Sequence, residues 1–266
     1  MGITGEYRTR LNGRSTLFVG LCLTVPLLCP RGAVAQYGTI KGRLIWGGDT
    51  VVPSKVLEEK GKAEKDPDVC AKDQSILSHE LEIDPKTKGV RYGFAYIVRP
   101  KGTNPEAVSE LIAKNPKVEI DQKNCDFLPH STAIHQDQTL VMKSSDPKSH
   151  NVRMSGFTNA GMNQAIAPNG QIPVKLVAER LPMTVACDIH PWMKARLMVF
   201  DHPFFAVTAP DGSVEIKGVP AGDQNVVVWQ ETMGYVTPDK GRGTPVKVVA
   251  GQVTDMGDVK IDPAKK

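Results

Sequence analysis

The chain has 266 residues, a formal net charge of +4, 40% hydrophobic and 23% charged residues, and 24 glycines and 20 prolines. This is the make-up of a folded globular chain, and it excludes a disordered or collagen-like one. It has no concentrated run of Lys and Arg, which argues against a nucleic-acid partner.

The first 35 residues are of a different kind. Arg8, Arg10 and Arg14 precede an apolar run from Leu17 to Leu28, and Ala33-Val34-Ala35 places small residues before Gln36. That order predicts a secretory signal peptide over residues 1–35 and a periplasmic or secreted location. The apolar run falls short of the roughly 20 residues of a membrane span, so no stable span is expected after cleavage. A membrane anchor is the competing reading. A lipid anchor on Cys29 is weaker, because bulky Leu28 precedes it. Taking the leader's four arginines from 33 basic residues and Glu6 from 29 acidic ones leaves a mature net charge of +1.

Residues 36–117 read as an N-terminal β segment with a short helix. Thr39 to Trp46 alternates as a strand, with Gly47-Gly48-Asp49 as its turn. Lys55 to Lys72 is charged and aperiodic, a loop or short helix. Val90 to Val98 reads as a second strand. Asn104-Pro105 is a helix start, with Asn as N-cap and Pro in the first turn, and the helix ends near Asn115-Pro116.

From 118 to 200 the pattern becomes dense short strands. They open at Val118-Glu119-Ile120 and continue through Thr139 to Lys143, a strand starting at His150, Val174 to Val177, Met183 to Ala186 and Ala195 to Phe200. Ser155 to Gly170, rich in Gly, Asn and Ala, reads as a long loop. Residues 201–266 form a C-terminal β segment: a strand at Phe205 to Thr208, a tight Asp211-Gly212 turn, a return strand at Val214 to Ile216, a turn at Val219-Pro220-Ala221-Gly222, and a strand at Asn225 to Trp229. The whole is expected to be all-β, a sandwich or barrel.

The chemistry concentrates in Cys187-Asp188-Ile189-His190-Pro191-Trp192-Met193. This run sets a thiolate, an imidazole and a thioether at C-x-x-H-x-x-M spacing. A second histidine, His150, stands 37 residues upstream at the head of a strand. Two imidazoles and a thiolate with a weak axial methionine make up a blue-copper ligand set. Soft sulfur suits Cu(I) and imidazole also suits Cu(II), so one rigid site can serve both states. Pro191 stiffens the loop, and the Asn151 side chain is placed to bond the backbone near Cys187. Once the leader's Cys22 and Cys29 are removed, Cys70, Cys125 and Cys187 remain. The simplest account pairs Cys70 with Cys125 as a disulfide and leaves Cys187 for the metal.

With these residues in view, the stretch from about Val118 to Phe200 resembles the cupredoxin family, and its short ligand loop is similar to that of amicyanin. The resemblance covers Phe127-x-Pro129, the His150-Asn151 pair, the ligand loop and the strand after it. It implies a Greek-key β-sandwich, one type-1 copper on His150, Cys187, His190 and Met193, and one-electron transfer with a redox partner protein. Electrons would pass through an exposed edge of His190. Val207-Thr208, Asp211-Gly212-Ser213-Val214 and Val219-Pro220-Ala221-Gly222 are similar to the carboxypeptidase regulatory-like (transthyretin-like) sandwich. The strand from Gly38 to Trp46 suits that module as well. This likeness implies a second small β-sandwich built from both flanks.

Competing readings stay open at this point. His150, Cys187 and His190 also suit zinc. Cys125 and His130 could begin a second metal site, against a disulfide beside a surface histidine. Trp192 is either core packing or a docking contact beside His190. Neither G-x-S-x-G nor H-E-x-x-H occurs, and Cys187 with His190 as nucleophile and base would leave His150 and Met193 unexplained, so no enzyme is expected. The alternatives to an electron carrier are a copper-delivery protein and a secreted structural sandwich.

Overall fold

The computed structural model describes residues 1, 2, 5 and 36–265. The expected signal peptide, with Cys22 and Cys29, falls almost entirely outside the described residues. The chain divides into Met1–Val34 and Ala35–Lys266, and the architecture below is that of the second unit.

The N-terminal segment gives β1 (Tyr37–Trp46), β2 (Val56–Glu58), β3 (Ile76–Leu77), β4 (Phe94–Ile97) and α1 (Pro105–Lys114). Alternation in β1 buries Ile40, Leu44 and Trp46 on one face. Asn104 caps α1, its Oδ1 accepting from Ala107 N at 3.0 Å, and Pro105 opens the first turn. The central stretch gives β5 (Lys117–Gln122), β6 (Phe127–Leu128), β7 (Ser131–His135), β8 (Thr139–Ser144), β9 (His150–Ser155), β10 (Met162–Ile166), β11 (Gln171–Val174), β12 (Met183–Ala186) and β13 (Lys194–Phe200). The tail gives β14 (Phe205–Val207), β15 (Ser213–Pro220), β16 (Gly222–Gln230), β17 (Gly234–Tyr235), β18 (Thr244–Val248) and β19 (Val253–Ile261).

The fold is all-β, built from two sandwiches. In the first, a sheet ordered β10-β9-β12-β13-β7 faces one ordered β11-β8-β5-β6. Ile120, Leu140 and Met142 from one sheet meet Val152, Val185, Leu197 and Val199 from the other. In the second, β15-β1-β19 faces β14-β4-β16-β17, with β18 paired to β16. Ile40, Leu44 and Ile216 there meet Ala95, Ile97, Val226 and Val228. The expected second sandwich made from both flanks is thus present. All four residues of β4 are buried. Ala95 and Ile97 enter the second core, while Phe94 and Tyr96 join Val227, Met198 and Phe200 in a cluster against the first sandwich. A strand covered on both faces reads as a continuous apolar run.

Several elements depart from the sequence expectations. The Ser155–Gly170 loop contains β10, whose polar residues stay exposed because it is an outer strand paired only to β9. The strand expected at Val174 to Val177 lies at Gln171–Val174. Pro173 is tolerated there because β11 pairs with β8 alone and can leave one backbone side without a donor. The expected strand at Val90 to Val98 shrinks to Phe94–Ile97, interrupted by Tyr92 at φ +66. Lys55 to Lys72 forms no helix, only β2 and turns. The expected Val219–Gly222 turn is confined to Ala221, between β15 and β16. The Asp211-Gly212 turn is present, with Gly212 at φ +78.

His79 lies between Asp126 and Glu82, with Nε2 3.0 Å from Asp126 Oδ2 and Nδ1 2.9 Å from Glu82 Oε2. The bond to Asp126, and then that to Glu82, outweigh its burial and raise its pKa to about 9. A folded-state pKa above the unfolded one stabilises the fold fully below the unfolded value, near pH 6.5. That contribution fades as pH rises through about 9. The expected result is that His79→Gln costs about 2 kcal/mol near pH 6 and progressively less towards pH 9, after allowing for solvent screening. Denaturant unfolding of both chains across that range measures it, and a cost independent of pH would contradict the assignment.

Candidate metal centre

His150 begins β9, Cys187 follows β12, and His190 lies in the turn leading into β13. β9 and β12 pair antiparallel with Ala186 opposite Arg153, which brings the start of one strand and the end of the other to the same end of the first sandwich. The turn is closed by Met193 N donating to His190 O at 2.9 Å and Cys187 N donating to Met193 O at 3.2 Å. Met193 is fully buried and belongs to the same apolar cluster as Cys187. Pro191 is exposed at the tip.

His150 Nδ1 and His190 Nδ1 stand 3.0 Å apart, and Cys187 Sγ lies 3.9 Å from each. With metal–nitrogen bonds of about 2.0 Å, an in-plane point equidistant from both nitrogens falls about 2.3 Å from Sγ, the length of a metal–thiolate bond. The three donors therefore fit one ion in a trigonal arrangement. Two imidazoles and a thiolate are donors that suit copper and zinc alike.

The far side of each ring explains why these nitrogens face inward. His150 Nε2 is 2.9 Å from Asp146 Oδ2, and His190 Nε2 is 2.9 Å from Asp66 Oδ2. A carboxylate only accepts, so each ring donates from Nε2 and turns the Nδ1 lone pair towards its neighbour and Cys187. Two lone pairs and a thiolate in contact repel unless a cation or proton lies among them. Burial opposes ionisation of the Cys187 thiol, but the His150 and His190 side chains beside it outweigh that and bring its pKa down to about 6. Burial likewise opposes charging His150, but Asp146 and Cys187 raise its pKa to about 9. Both shifts favour a thiolate beside a protonated imidazole when no metal is bound. A cation bound there takes the place of that proton.

Asn151 ties the two ligand segments together. Its Oδ1 accepts from Asp188 N at 2.7 Å and Ile189 N at 3.3 Å, and it lies 3.3 Å from Cys187 Sγ. Asp146 does the same for the loop at Cys125. Its carboxylate accepts from Asn124 N at 2.6 Å and Cys125 N at 2.8 Å as well as from His150. Cys125 is bonded to Cys70 in a fully buried disulfide, the pairing expected from the sequence. Both sulfurs lie within 4.8 Å of a nitrogen of His190.

Two expectations about accessibility are corrected. His190 has no exposed edge: it is 0% exposed, because Asp66 reaches over its Nε2 from the N-terminal segment. His130 is not a surface histidine; it is buried, with Nε2 2.6 Å from Glu231 Oε2. Trp192 is half-buried, its ring 5.2 Å from that of His190 and its Nε1 donating to Cys125 O at 3.0 Å.

The sequence reading missed Asp66 and Asp146. Asp146, four residues before His150 and followed by Pro147, carries only the signature of a turn in the sequence. Asp66 lies in an aperiodic stretch, and its one signal was proximity to Cys70, which the disulfide brings to the site.

Among the described residues, no helix is long and apolar enough to cross a membrane. No family model matches this sequence. No curated protein matches it either. Solved structures similar to this chain include a reduced Cu(I) form of an amicyanin mutant, at 14% identity and TM-score 0.29 over 32% of this chain and 82% of that one. They also include amicyanin from Paracoccus versutus, at 15% identity and TM-score 0.29 over 40% of this chain and 97% of that one. A third is the Cu-containing nitrite reductase from Thermus scotoductus SA-01, at 15% identity and TM-score 0.28 over 32% of this chain and 22% of that one. At these TM-scores the likenesses carry no argument for this chain, and the metal assignment rests on the donor triangle alone.

Proposed function

We propose that this chain is an exported copper protein that carries single electrons between redox partner proteins and is not an enzyme. One observation carries the reading: two Nδ1 atoms and a thiolate converge in a buried pocket at the separations one metal ion requires. Bound copper supplies a one-electron couple between Cu(II) and Cu(I). The protein's part is to hold His150, Cys187 and His190 still. Asp146 and Asp66 fix the two rings, Asn151 fixes the backbone after Cys187, and the Met193 backbone closes the ligand loop. Donors held in place in both oxidation states keep the rearrangement on electron arrival small. Burial of all three keeps water away from the thiolate.

A visible absorption spectrum of residues 36–266 loaded with Cu(II) tests the reading. An intense thiolate-to-copper band that bleaches on reduction supports a blue-copper carrier. A colourless protein that still binds metal points to zinc or to copper delivery, and one that binds nothing leaves a structural sandwich.

A further inference from the structure

Both ligand histidines end on a carboxylate, one from each side of the pocket. Asp146 is 2% exposed, its Oδ2 is 2.9 Å from His150 Nε2, and the rest of its hydrogen bonding goes to the backbone N–H groups of Asn124 and Cys125. Asp66 Oδ2 is 2.9 Å from His190 Nε2, and Asp66 Oδ1 is 3.2 Å from Lys148 Nζ. Asp66 lies outside the stretch that supplies His150, Cys187 and His190. The disulfide holds it in place: the Asp66 carbonyl accepts from Cys70 N at 2.8 Å, and Cys70 is bonded to Cys125, whose N–H rests on Asp146.

A carboxylate on Nε2–H pulls the proton towards itself and pushes electron density into the ring, which makes Nδ1 a stronger donor. Cu(II) draws more on such a donor than Cu(I) does. Two negative charges behind the rings, Asp146 buried and Asp66 a third exposed, act in the same sense, because they attract a doubly charged ion more than a singly charged one. We propose that Asp66 and Asp146 are positioning residues that bias bound copper towards Cu(II), giving the centre a low potential and making the protein an electron donor to partners of higher potential. This rests on the copper reading above. Asp146 is the stronger of the two, since Lys148 offsets part of the charge on Asp66.

The test is the midpoint potential of the full mature chain, taken from reductive titration of its blue band, for wild type, Asp66→Asn, Asp66→Glu and Asp146→Asn. Asparagine can still accept from Nε2–H, so Asp66→Asn removes the charge and keeps the contact. It is expected to leave the circular dichroism unchanged and to lower the Cu(II)/Cu(I) affinity ratio at least tenfold, an upward shift of about 59 mV for one electron. Asp146→Asn should shift it further, and Asp66→Glu should stay near wild type. A blue, folded Asp66→Asn with the wild-type potential would overturn the proposal. If wild type shows no blue band, the copper reading has failed, and the caps are then judged separately in the metal-free protein. Long-range proton–nitrogen NMR should place the His190 proton on Nε2 in wild type, and a proton on Nδ1 would overturn the Asp66 cap.

Discussion

Replacing Cys187 with serine is expected to abolish the blue band proposed for the copper-loaded protein. A hydroxyl has neither the softness to bind Cu(I) nor the ionisation to bind Cu(II) at neutral pH, whereas the Cys187 thiol, with a pKa brought to about 6, is already a thiolate. Serine is close in volume, and the surrounding apolar cluster is otherwise intact. The fold is therefore expected to survive, with circular dichroism close to wild type. Without metal, His150 should also keep less of its stabilised charge, because Cys187 is one of the two partners that raise its pKa. Copper-loaded spectra of the two proteins make the comparison, and a variant that stays blue would remove Cys187 from the ligand set.

The second large effect is on stability. Cys70 and Cys125 are 55 residues apart in sequence and both fully buried in the first core. In the chain-entropy picture, a crosslink closing a loop of that length removes about 4 kcal/mol of freedom from the unfolded chain. The double variant Cys70→Ala/Cys125→Ala should lose stability of that order in denaturant unfolding, with alanine chosen to avoid burying a hydroxyl. Asp66 loses its anchor in the same change, so metal affinity should fall together with stability. A double variant as stable as wild type would mean that the apolar cluster around Ile120, Phe127 and Leu140 fixes this segment by itself.

These features differ in how readily the sequence reveals them. The C-x-x-H-x-x-M run is local, so its spacing reports a single tight turn, and the Asn-Pro helix start is equally local. β12 was legible to the residue because Met183 to Ala186 is apolar and short. β10 was not, because an outer strand with its three middle residues exposed shows little apolar alternation. β18 and β19 went unassigned for a related reason: their burial alternates weakly, and β19 holds its place through parallel pairing with β1, more than two hundred residues away. Asp66 was illegible because its role depends on a contact with His190 across 124 residues. Composition at one end of such a contact says nothing about the other.

The strand pair β4 and β16 lends one face to each of two cores. The half that holds His150, Cys187 and His190 is therefore no detachable module. Phe94, Tyr96 and Val227 cover Met198 and Phe200, and excising the flanks would strip that cover and expose both side chains. Heat or denaturant should take both halves together, and a lineage carrying this architecture would have to inherit or lose the two sandwiches as one.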